Sequence, residues 1–438
     1  MRRLITILST VVSIQIAGFA AAENWPAWRG PNGDGTTSDT APTEFGPHQN
    51  VKWRVKLPER GNSTPIVWED RVFVSQALTD SDERTLMCFA RESGSLLWQK
   101  RVKYTEEEAT HQTNPYCSAT PVTDGERVIV WHGSAGLHCY SMDGEEIWSR
   151  DLGKQEHMWG YGSSPILYEN LCIVNFGPGT RETLLAVDKR TGDAVWEVPP
   201  LGLEEEAALS GPENDGNVDP TRYSDETTLA TMLRGSWSTP MVLKNGRDEL
   251  VATQTRRVSA YDPKTGELLW VCGGLAPLAY SSVVPGEDLL VAMGGFHGGS
   301  LAVRPGGSGD VTDTHRIWHE PRGENWLSTG ILHDGHVYLA AIDLGILRCY
   351  DARTGEEQWT ERLRSSGRTG AVWGSLTKSG DGLIYLMNQA GDTFVFRPSP
   401  DEYDQVARNS LGETSNSTPV ISDGQLFLRT HEALWCIE

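Results

Sequence analysis

A short turn signature recurs along the chain and constrains its fold more than any other feature. Residues 188–196 (DKRTGDAVW), 262–270 (DPKTGELLW) and 351–359 (DARTGEEQW) share an Asp, a Thr, a Gly and a Trp that follows the Gly by four positions. Weaker copies end at Trp98 and Trp148. The Asp and Thr cap a hairpin turn and the Gly takes its positive-φ position, so each Trp falls on the same face of the next strand. The signature therefore predicts a series of β-hairpins.

A second repeated element precedes each turn and gives the number of units. It is a Ser/Thr-Pro step followed by a β-branched run, at residues 63–65, 119–121, 163–165, 238–240 and 417–419, with degenerate copies near Ser281, Ser328 and Ser375. Each of these eight starts leaves room for four short strands, which is typical of propeller blades. The sequence predicts an all-β, eight-bladed β-propeller of four-stranded antiparallel blades over residues 50–438.

The two ends of the repeat region predict how the ring closes. The last unit, from Ser417 to Glu438, lacks a Trp strand, and residues 51–55 supply one with Trp53. We therefore expect the N-terminal strand to complete the last blade and to remove an exposed edge. Blade seven lacks both the turn and the Trp, and Val406 falls near the Trp position. The predicted structural blade tryptophans are Trp53, Trp98, Trp148, Trp196, Trp270, Trp318 and Trp359.

Four of the seven cysteines occupy one repeated position, in the strand before the turn. Across the blades that position holds Cys88, Cys139, Ala186, Ala260, Ala302, Cys349, Val395 and Cys436. Because Cys alternates there with Ala and Val, it acts as a small buried hydrophobe, and neighbouring blades hold the thiols too far apart for a disulfide. The pairing of Cys117, Cys172 and Cys272 stays open.

Three segments do not follow the blade template. Residues 1–22, a basic start followed by an apolar run and three alanines, have the pattern of a signal peptide, with an uncleaved anchor as the alternative. Residues 23–49 are rich in Gly and Pro, which predicts an extension packed on the propeller or, alternatively, a docking peptide. Residues 199–235 form a long insertion, and we expect it and the shorter excursion at 105–115 near the mouth of the central funnel.

Charge and the N-terminal pattern favour an exported protein, either periplasmic or secreted. The net charge of −21 repels nucleic acid and anionic membranes. No cysteine lies near the expected cleavage site, which argues against a lipid anchor. We expect a monomer without a stable membrane span, whose partner is an unidentified protein or a small-molecule or glycan ligand at the funnel face.

Catalytic and metal-binding motifs with known spacing are missing from the sequence, so no catalytic residue and no metal site is predicted. Residues 264–266 match the Lys-Thr-Gly motif of penicillin-binding proteins. In this chain they form the hairpin turn of blade four, so the match indicates no active site. His315 and His319 flank the strand of Trp318, where four residues span roughly 13 Å, too far to share a metal.

The positive functional signal is aromatic. Six aromatic residues stand just upstream of blade starts, and another aromatic residue and two histidines lie close by. A ring of flat amphipathic groups at the funnel mouth would suit a planar ligand or a sugar; the alternative is that these rings wedge between blades. The predicted ligand-binding residues are Tyr116, Trp159, Tyr161, Trp237, Tyr280, Trp326, Trp373, His111 and His157.

The turn signature together with the Ser/Thr-Pro starts resembles the pyrroloquinoline-quinone (PQQ) type propeller repeat over nearly all of residues 50–438. The opening Trp25-Pro-Ala-Trp28-Arg-Gly-Pro resembles a leader of bacterial exported members of that family. One branch of the family implied by this resemblance comprises quinoprotein dehydrogenases, which hold PQQ with calcium in the funnel and use an Asp as general base. The other comprises scaffold propellers without a cofactor, such as the lipoprotein of the outer-membrane β-barrel assembly machinery.

The chain departs from both branches. It lacks the adjacent Cys-Cys pair common beneath the quinone, it is short for a dehydrogenase, and it lacks the lipidated Cys of the scaffold branch. Trp237 resembles the tryptophan that stacks on the quinone. The resemblance therefore leaves three hypotheses: a binding or scaffold module, a PQQ-dependent alcohol or sugar dehydrogenase, which requires an acidic pair and an Asn beneath Trp237, and a carbohydrate-binding propeller.

Overall fold

The computed structural model is an eight-bladed β-propeller, as the repeats predict. It describes residues 23–179, 181–201, 234–295, 298–342, 345–367 and 370–438. The expected signal peptide and most of the insertion at 199–235 lie outside the described residues. Each blade is one antiparallel sheet whose strands follow one another in chain order, except in the last blade. No helix among the described residues is long and apolar enough to cross a membrane.

The chain enters the ring through β1 (Val51–Lys56). Blade 1 contains β2 (Ile66–Trp68), β3 (Arg71–Leu78), β4 (Glu83–Ala90) and β5 (Leu96–Lys103); blade 2 contains β6 (Val122–Thr123), β7 (Arg127–Trp131), β8 (Leu137–Ser141) and β9 (Glu146–Arg150); blade 3 contains β10 (Ile166–Tyr168), β11 (Leu171–Asn175), β12 (Leu184–Asp188) and β13 (Ala194–Val198). A short strand β14 (Gly235–Ser236) precedes blade 4, which contains β15 (Met241–Asn245), β16 (Arg247–Gln254), β17 (Arg257–Tyr261) and β18 (Leu268–Gly273).

The second half of the ring is built in the same way. After β19 (Leu278–Ala279), blade 5 contains β20 (Val284–Pro285), β21 (Leu290–Met293), β22 (Ser300–Val303) and β24 (Arg316–Glu320), while β23 (Gly309–Asp310) pairs with β18 of blade 4. Blade 6 contains β25 (Ile331–His333), β26 (His336–Ala340), β27 (Ile346–Asp351) and β28 (Glu357–Arg362); blade 7 contains β29 (Thr377–Lys378), β30 (Ile384–Met387), β31 (Asp392–Arg397) and β32 (Asp404–Ser410); blade 8 contains β33 (Val420–Ser422), β34 (Gln425–Arg429), β35 (Ala433–Ile437) and β1. The helix α1 (Thr312–His315) and two 3₁₀ turns, Thr79–Ser81 and Gly133–Ala135, lie between strands.

The repeat tryptophans clamp each blade to the next one. Trp148 lies opposite the small residue Cys139 and donates its Nε1–H to the carbonyl oxygen of Lys189, in the turn of the following blade, at 3.0 Å. A Cβ added to Gly192 of that turn would lie 2.7 Å from the Trp148 ring, so only glycine allows the ring to pack there. Equivalent indole–carbonyl bonds are made by Trp53, Trp98, Trp196, Trp318 and Trp359.

Two blades depart from this arrangement. Trp270 bonds Glu249 Oε2 in its own blade at 2.9 Å, since blade 5 has no matching turn to offer it a carbonyl. In blade 7 the residue opposite Val395 is Ala407, one position after Val406. A β-bulge before the Trp position shifts the register in this blade as in the others, and Val406 is the bulge residue. Val406 therefore lies next to the Trp position, as predicted, and Ala407 occupies that position.

Ring closure follows the prediction. Strand β1 pairs with β35, and Trp53 faces Cys436. A second contact across this seam was not foreseen: Arg429 of β34 is fully buried and donates to the carbonyl oxygens of Ser63 and Ser75, at 3.1 and 2.9 Å, in blade 1. The first and last blades are therefore joined by strand pairing and by a buried guanidinium.

All seven cysteines are buried free thiols. This settles Cys117, Cys172 and Cys272, which form no disulfide. The four repeat thiols, Cys88, Cys139, Cys349 and Cys436, each lie opposite the Trp strand position, as expected for small core residues. Burial raises the pKa of Cys117 to about 12, so this thiol stays protonated at neutral pH.

Candidate functional site

The eight blade starts meet around the axis in a closed belt of hydrogen bonds. At each start the backbone N–H of a Ser or Thr donates to the hydroxyl of the corresponding Ser or Thr in the next blade, over 2.9 to 3.4 Å. The members are Thr64, Thr120, Ser164, Thr239, Ser282, Thr329, Ser375 and Thr418. We call this ring the hydroxyl belt. It explains why a hydroxyl residue recurs there even where the proline is lost.

The belt hydroxyls accept hydrogen bonds but donate none within the part of the chain that the structure describes. Each hydroxyl therefore has an O–H donor that no described residue accepts, because a hydroxyl carries one donor and two acceptor lone pairs. Six of the eight line an axial cavity of about 290 Å³. The cavity is at the low end of the size range of small-molecule sites, roughly 300–1,000 Å³.

Five of the nine predicted residues line this cavity: His111, Trp159, Trp237, Tyr280 and Trp373. They precede the belt in the chain, so they form the mouth on one side of it. The Trp237 ring centroid lies 4.8 Å from that of Tyr280 and 6.1 Å from that of Trp159. Trp237 is held in place because its Nε1–H donates to the Gly160 carbonyl at 2.8 Å. The mouth thus presents a fixed cluster of aromatic faces.

The other four predicted residues do not line the cavity. His157 is buried behind the mouth and meets the Trp237 ring edge-on at 4.8 Å. Tyr116 stacks on the Arg84 guanidinium, and its hydroxyl donates to the backbone carbonyl of Glu108. Tyr161 and Trp326 lie in hydrophobic core clusters between blades, Tyr161 with its ring centroid 4.9 Å from that of Trp131. For these two residues the wedge alternative describes the packing.

Several cavity residues were not singled out from the sequence. They include the six lining belt members and Trp28, Asn62, Asn114 and Asn416. The belt had a signal, since a Ser or Thr recurs at every blade start, but that pattern was used only to count blades. Asn62 Oδ1 is a buried acceptor without a partner in the described structure. His111 Nδ1 lies 2.7 Å from the Thr113 hydroxyl and 3.3 Å from the Thr113 backbone N, which orients the ring at the cavity wall.

The N-terminal segment closes the opposite end of the cavity. Trp25 pairs with Val67 of blade 1, the Thr123 N–H of blade 2 donates to the Pro26 carbonyl, and Arg29 donates to the Gly330 carbonyl of blade 6, on the opposite side of the ring. Residues 23–39, which we call the plug, therefore cross the axis beyond the belt. Arg29 is buried under the Trp28 ring, 5.6 Å from its centroid. Trp28 lines the cavity as its floor. Among the residues that the structure describes, the plug therefore blocks the axial channel at this end.

Arg29 fixes the plug to the ring. Its guanidinium donates to the carbonyl oxygens of Leu376 and Gly330, at 2.7 and 3.0 Å, one residue after the belt in blades 7 and 6. A third bond, 2.6 Å long, reaches the Asp34 carbonyl inside the plug. Such bonds from a charged donor are stronger than neutral ones, and they hold the plug directly against the belt.

Behind the mouth, blades 1 and 2 bury a polar cluster. Glu108 and Arg84 form an ion pair at 3.4 Å with almost no exposure, and Glu108 also accepts the Ser134 N–H at 2.7 Å. Cys117 Sγ lies 3.7 Å from His132 Nδ1. Burial lowers the pKa of His132 well below its usual range, so the ring is neutral. A protonated thiol beside a buried neutral imidazole is not an activated nucleophile.

The cavity lining contains polar and aromatic side chains. None of its described lining residues is an Asp, Glu, Lys or Arg. The described residues also contain no group of three or more His, Cys, Asp or Glu side chains able to hold a metal ion. PQQ carries carboxylates and binds through a calcium ion with oxygen ligands, so it needs cations and an acidic cluster at the site. The described cavity residues do not fit that group.

The chain resembles known propellers in sequence pattern and in fold. The PQQ_2 family model, described as outer membrane protein assembly factor BamB, matches residues 82–215, 222–374 and 254–438. Europium-containing methanol dehydrogenase is similar in fold, with a TM-score of 0.66 and 11% identity over 92% of this chain and 89% of that one. BamB from Moraxella catarrhalis gives a TM-score of 0.59 and 12% identity over 89% and 99%. No curated protein matches the chain.

Proposed function

Because the chain belongs to the PQQ_2 family, whose repeat builds blades and specifies no ligand, we propose that it is an exported binding module that holds an uncharged small ligand in its axial cavity. The fold alone does not select a function, since the family model is described for an assembly factor and similar folds include a methanol dehydrogenase. The site must therefore decide between the hypotheses.

The observation that carries the proposal is a cavity lined by hydroxyl groups, with no Asp, Glu, Lys or Arg among its described lining residues. Six belt residues line it, their hydroxyls donate no hydrogen bond to a described residue, and Trp28 lies at its far end. An uncharged ligand gains hydrogen bonds there, whereas an ion would lose hydration without finding a counter-charge. Aromatic faces at the mouth add apolar contact area and fixed orientation.

The dehydrogenase alternative is less well supported by the same residues. Trp237 matches the family position that stacks on the quinone, but its described neighbours in the cavity are Trp159, Tyr280 and Gly162. The acidic pair that this alternative needs is not among the described cavity residues. The test is direct: micromolar PQQ with calcium, followed by quinone absorbance and dye-linked alcohol oxidation. Saturable binding with turnover would replace the binding proposal.

Ligand binding is tested by a thermal-shift screen of a small-molecule library sorted by charge. A ligand at about 100 times its Kd stabilises the folded protein by about 2.7 kcal/mol, which gives a measurable rise in Tm. We expect hits among uncharged compounds and at least a tenfold loss of affinity in Trp237→Ala. Tyr116→Phe is the control, because Tyr116 was predicted for the site but lies outside the cavity. Equal losses in both variants, or hits only among ions, would contradict the proposal.

A second candidate, a protein-binding scaffold, is favoured by the outer rim. The bulge before the Trp position places an aliphatic side chain on the outer strands β5, β9 and β13, where Leu97, Ile147 and Val195 are 49%, 45% and 49% exposed. These strands are the free edges of their sheets, whereas β18 of blade 4 is covered by β23. Photo-crosslinking from Ile147 to one defined partner, without crosslinks from the polar bulge residue Gln358, would support this role.

A further inference from the structure

The axial cavity has the chemistry of a saccharide site that recognises a chain end. We propose that the terminal residue of an uncharged saccharide enters through the aromatic mouth and stops against Trp28. This inference rests on the proposed function and deepens it by naming the ligand class and its direction of entry.

The belt places hydroxyl-bearing residues around most of the circumference of a bound ligand. Its cavity-lining members Thr64, Thr120, Ser164, Thr239, Ser375 and Thr418 come from six different blades. A ligand with acceptors on one side would use only one or two of their O–H donors. A sugar ring carries oxygens on every edge, and each sugar hydroxyl can also donate in return. The buried, unpartnered Asn62 Oδ1 supplies an acceptor for such a donated bond.

The mouth is suited to the faces of a sugar ring rather than to its edges. Trp159, Trp237 and Tyr280 form a continuous aromatic cluster, with ring centroids 4.8 to 6.4 Å apart. The C–H face of a sugar packs on such rings, while its hydroxyl edges stay free for the belt below. A saccharide chain that enters along the axis would therefore meet the aromatic mouth first and the hydroxyl belt second.

The blocked floor restricts the ligand to a chain end. Arg29 and its three carbonyl acceptors hold the plug across the axis, and Trp28 covers that contact. A polymer therefore cannot thread through the channel, and a cavity of about 290 Å³ leaves little room beyond a terminal unit. The described lining residues include no Lys or Arg that could pair with a uronic or phosphorylated sugar, so the site favours a neutral saccharide.

The first experiment compares linear and cyclic ligands of equal composition. Calorimetric titration of the chain beginning at Glu23 uses maltohexaose and α-cyclodextrin, which contain the same sugar units with and without ends, after a glycan array has ranked neutral and acidic oligosaccharides. The linear neutral ligand selected by the array, and maltohexaose if it is among the binders, should bind at least tenfold more tightly than its cyclic counterpart. Equal binding of the cyclic form, or a preference for acidic glycans, would overturn the proposal.

The second experiment tests the floor. For the wild type, affinity should be nearly constant from the disaccharide to the hexasaccharide, because only the end is buried. Trp28→Ala should make affinity rise with ligand length, while Trp28→Phe, which keeps an aromatic floor, should restore the flat profile. Length-dependent binding in the wild type would refute end-on entry.

The outcomes separate this inference from the proposed function. If the charge-sorted library yields uncharged ligands but no neutral saccharide binds on the array, the saccharide inference fails and the binding module remains. If no uncharged compound of any class binds, both fail together.

Discussion

The two ends of the axial channel are built from different parts of the sequence. The mouth consists of aromatic residues that precede blade starts, among them Trp237 and Trp373, so it follows the repeat. The plug, residues 23–39, belongs to no repeat and crosses the axis once. The mouth relies on ring packing, whereas the plug relies on a buried guanidinium bonded to backbone carbonyls. The repeats make a ring with a pore, and a segment outside the repeats converts the pore into a pocket.

The largest expected effect is at the plug. Arg29→Met leaves the buried carbonyls of Leu376 and Gly330 without their donor. It should lower the free energy needed to detach the plug from the ring by about 3–5 kcal/mol. Limited proteolysis should then cut within residues 23–39 before the ring unfolds. The control is Arg397→Met, which removes an exposed ion pair with Asp404 and should cost about 0–1 kcal/mol. Similar cleavage of both variants would show that Arg29 does not anchor the plug.

The belt, which lies between the two ends, comes next. Thr120→Val keeps the shape of the side chain but removes the acceptor of the Thr64 N–H, so it should lower the free energy of unfolding by about 1–3 kcal/mol in urea titrations. Thr120→Ser keeps the hydroxyl and should lose less than half as much. If valine and serine behave alike, the belt bonds do not contribute to stability.

The smallest expected effect is a pH dependence of stability that differs between the two ends of the channel. On the mouth side of the ring, burial lowers the pKa of His132 and, to about 4, that of His431, so the folded state binds fewer protons than the unfolded state below pH 6.5. Stability should therefore fall between pH 6.5 and 4, by about 1 kcal/mol or less for the partly exposed His431. His431→Gln should flatten this slope in urea titrations at several pH values. An unchanged slope would exclude His431 as a cause.

At the plug, we expect acid to reduce stability only at a lower pH than on the mouth side. Burial of the Glu23 carboxylate opposes its ionisation, but hydrogen bonds from Thr37 and Ser38 outweigh this and lower its pKa. Its contribution is present above the ordinary carboxyl pKa near 4.5 and is lost as the pH falls below it. Proteolysis of residues 23–39 should therefore stay unchanged from pH 7 to 5, while the unfolding free energy of the ring already declines. Early release of the plug at pH 6 would contradict this order.

Sequence reasoning was strongest where a residue repeats. The eight starts, the tryptophan strands and the Trp53 closure are all confirmed, because each blade makes the same contact with the next and leaves the same trace in the sequence. It placed Val406 near the Trp position but did not identify Ala407 as the residue there, since a bulge alters the strand register without changing composition. It did not find Arg429, because a single buried cation at one seam has no copy elsewhere.

For the candidate site, a position just before a blade start identified cavity-lining residues only half of the time. Of the six aromatic residues at such positions, three line the cavity. Trp237 and Tyr161 both precede blade starts, yet only the first faces the cavity and the second packs on Trp131. Which way a ring turns depends on the space left by the neighbouring blade, and that space is set by residues far away in the chain. Trp28 was likewise recognised only as part of the leader pattern, and its position at the cavity could not be predicted.

The sequence by itself determined the architecture of this protein. Eight similar four-stranded units bury their faces against one another, and the N-terminal strand with Trp53 completes the last unit and closes the ring. The tertiary structure alone decided what the ring encloses. Hydroxyls from eight blades become a belt, and a non-repeating Trp28 becomes a floor, only when segments hundreds of residues apart meet on one axis. Local patterns record local contacts, whereas a cavity is defined by what converges on it.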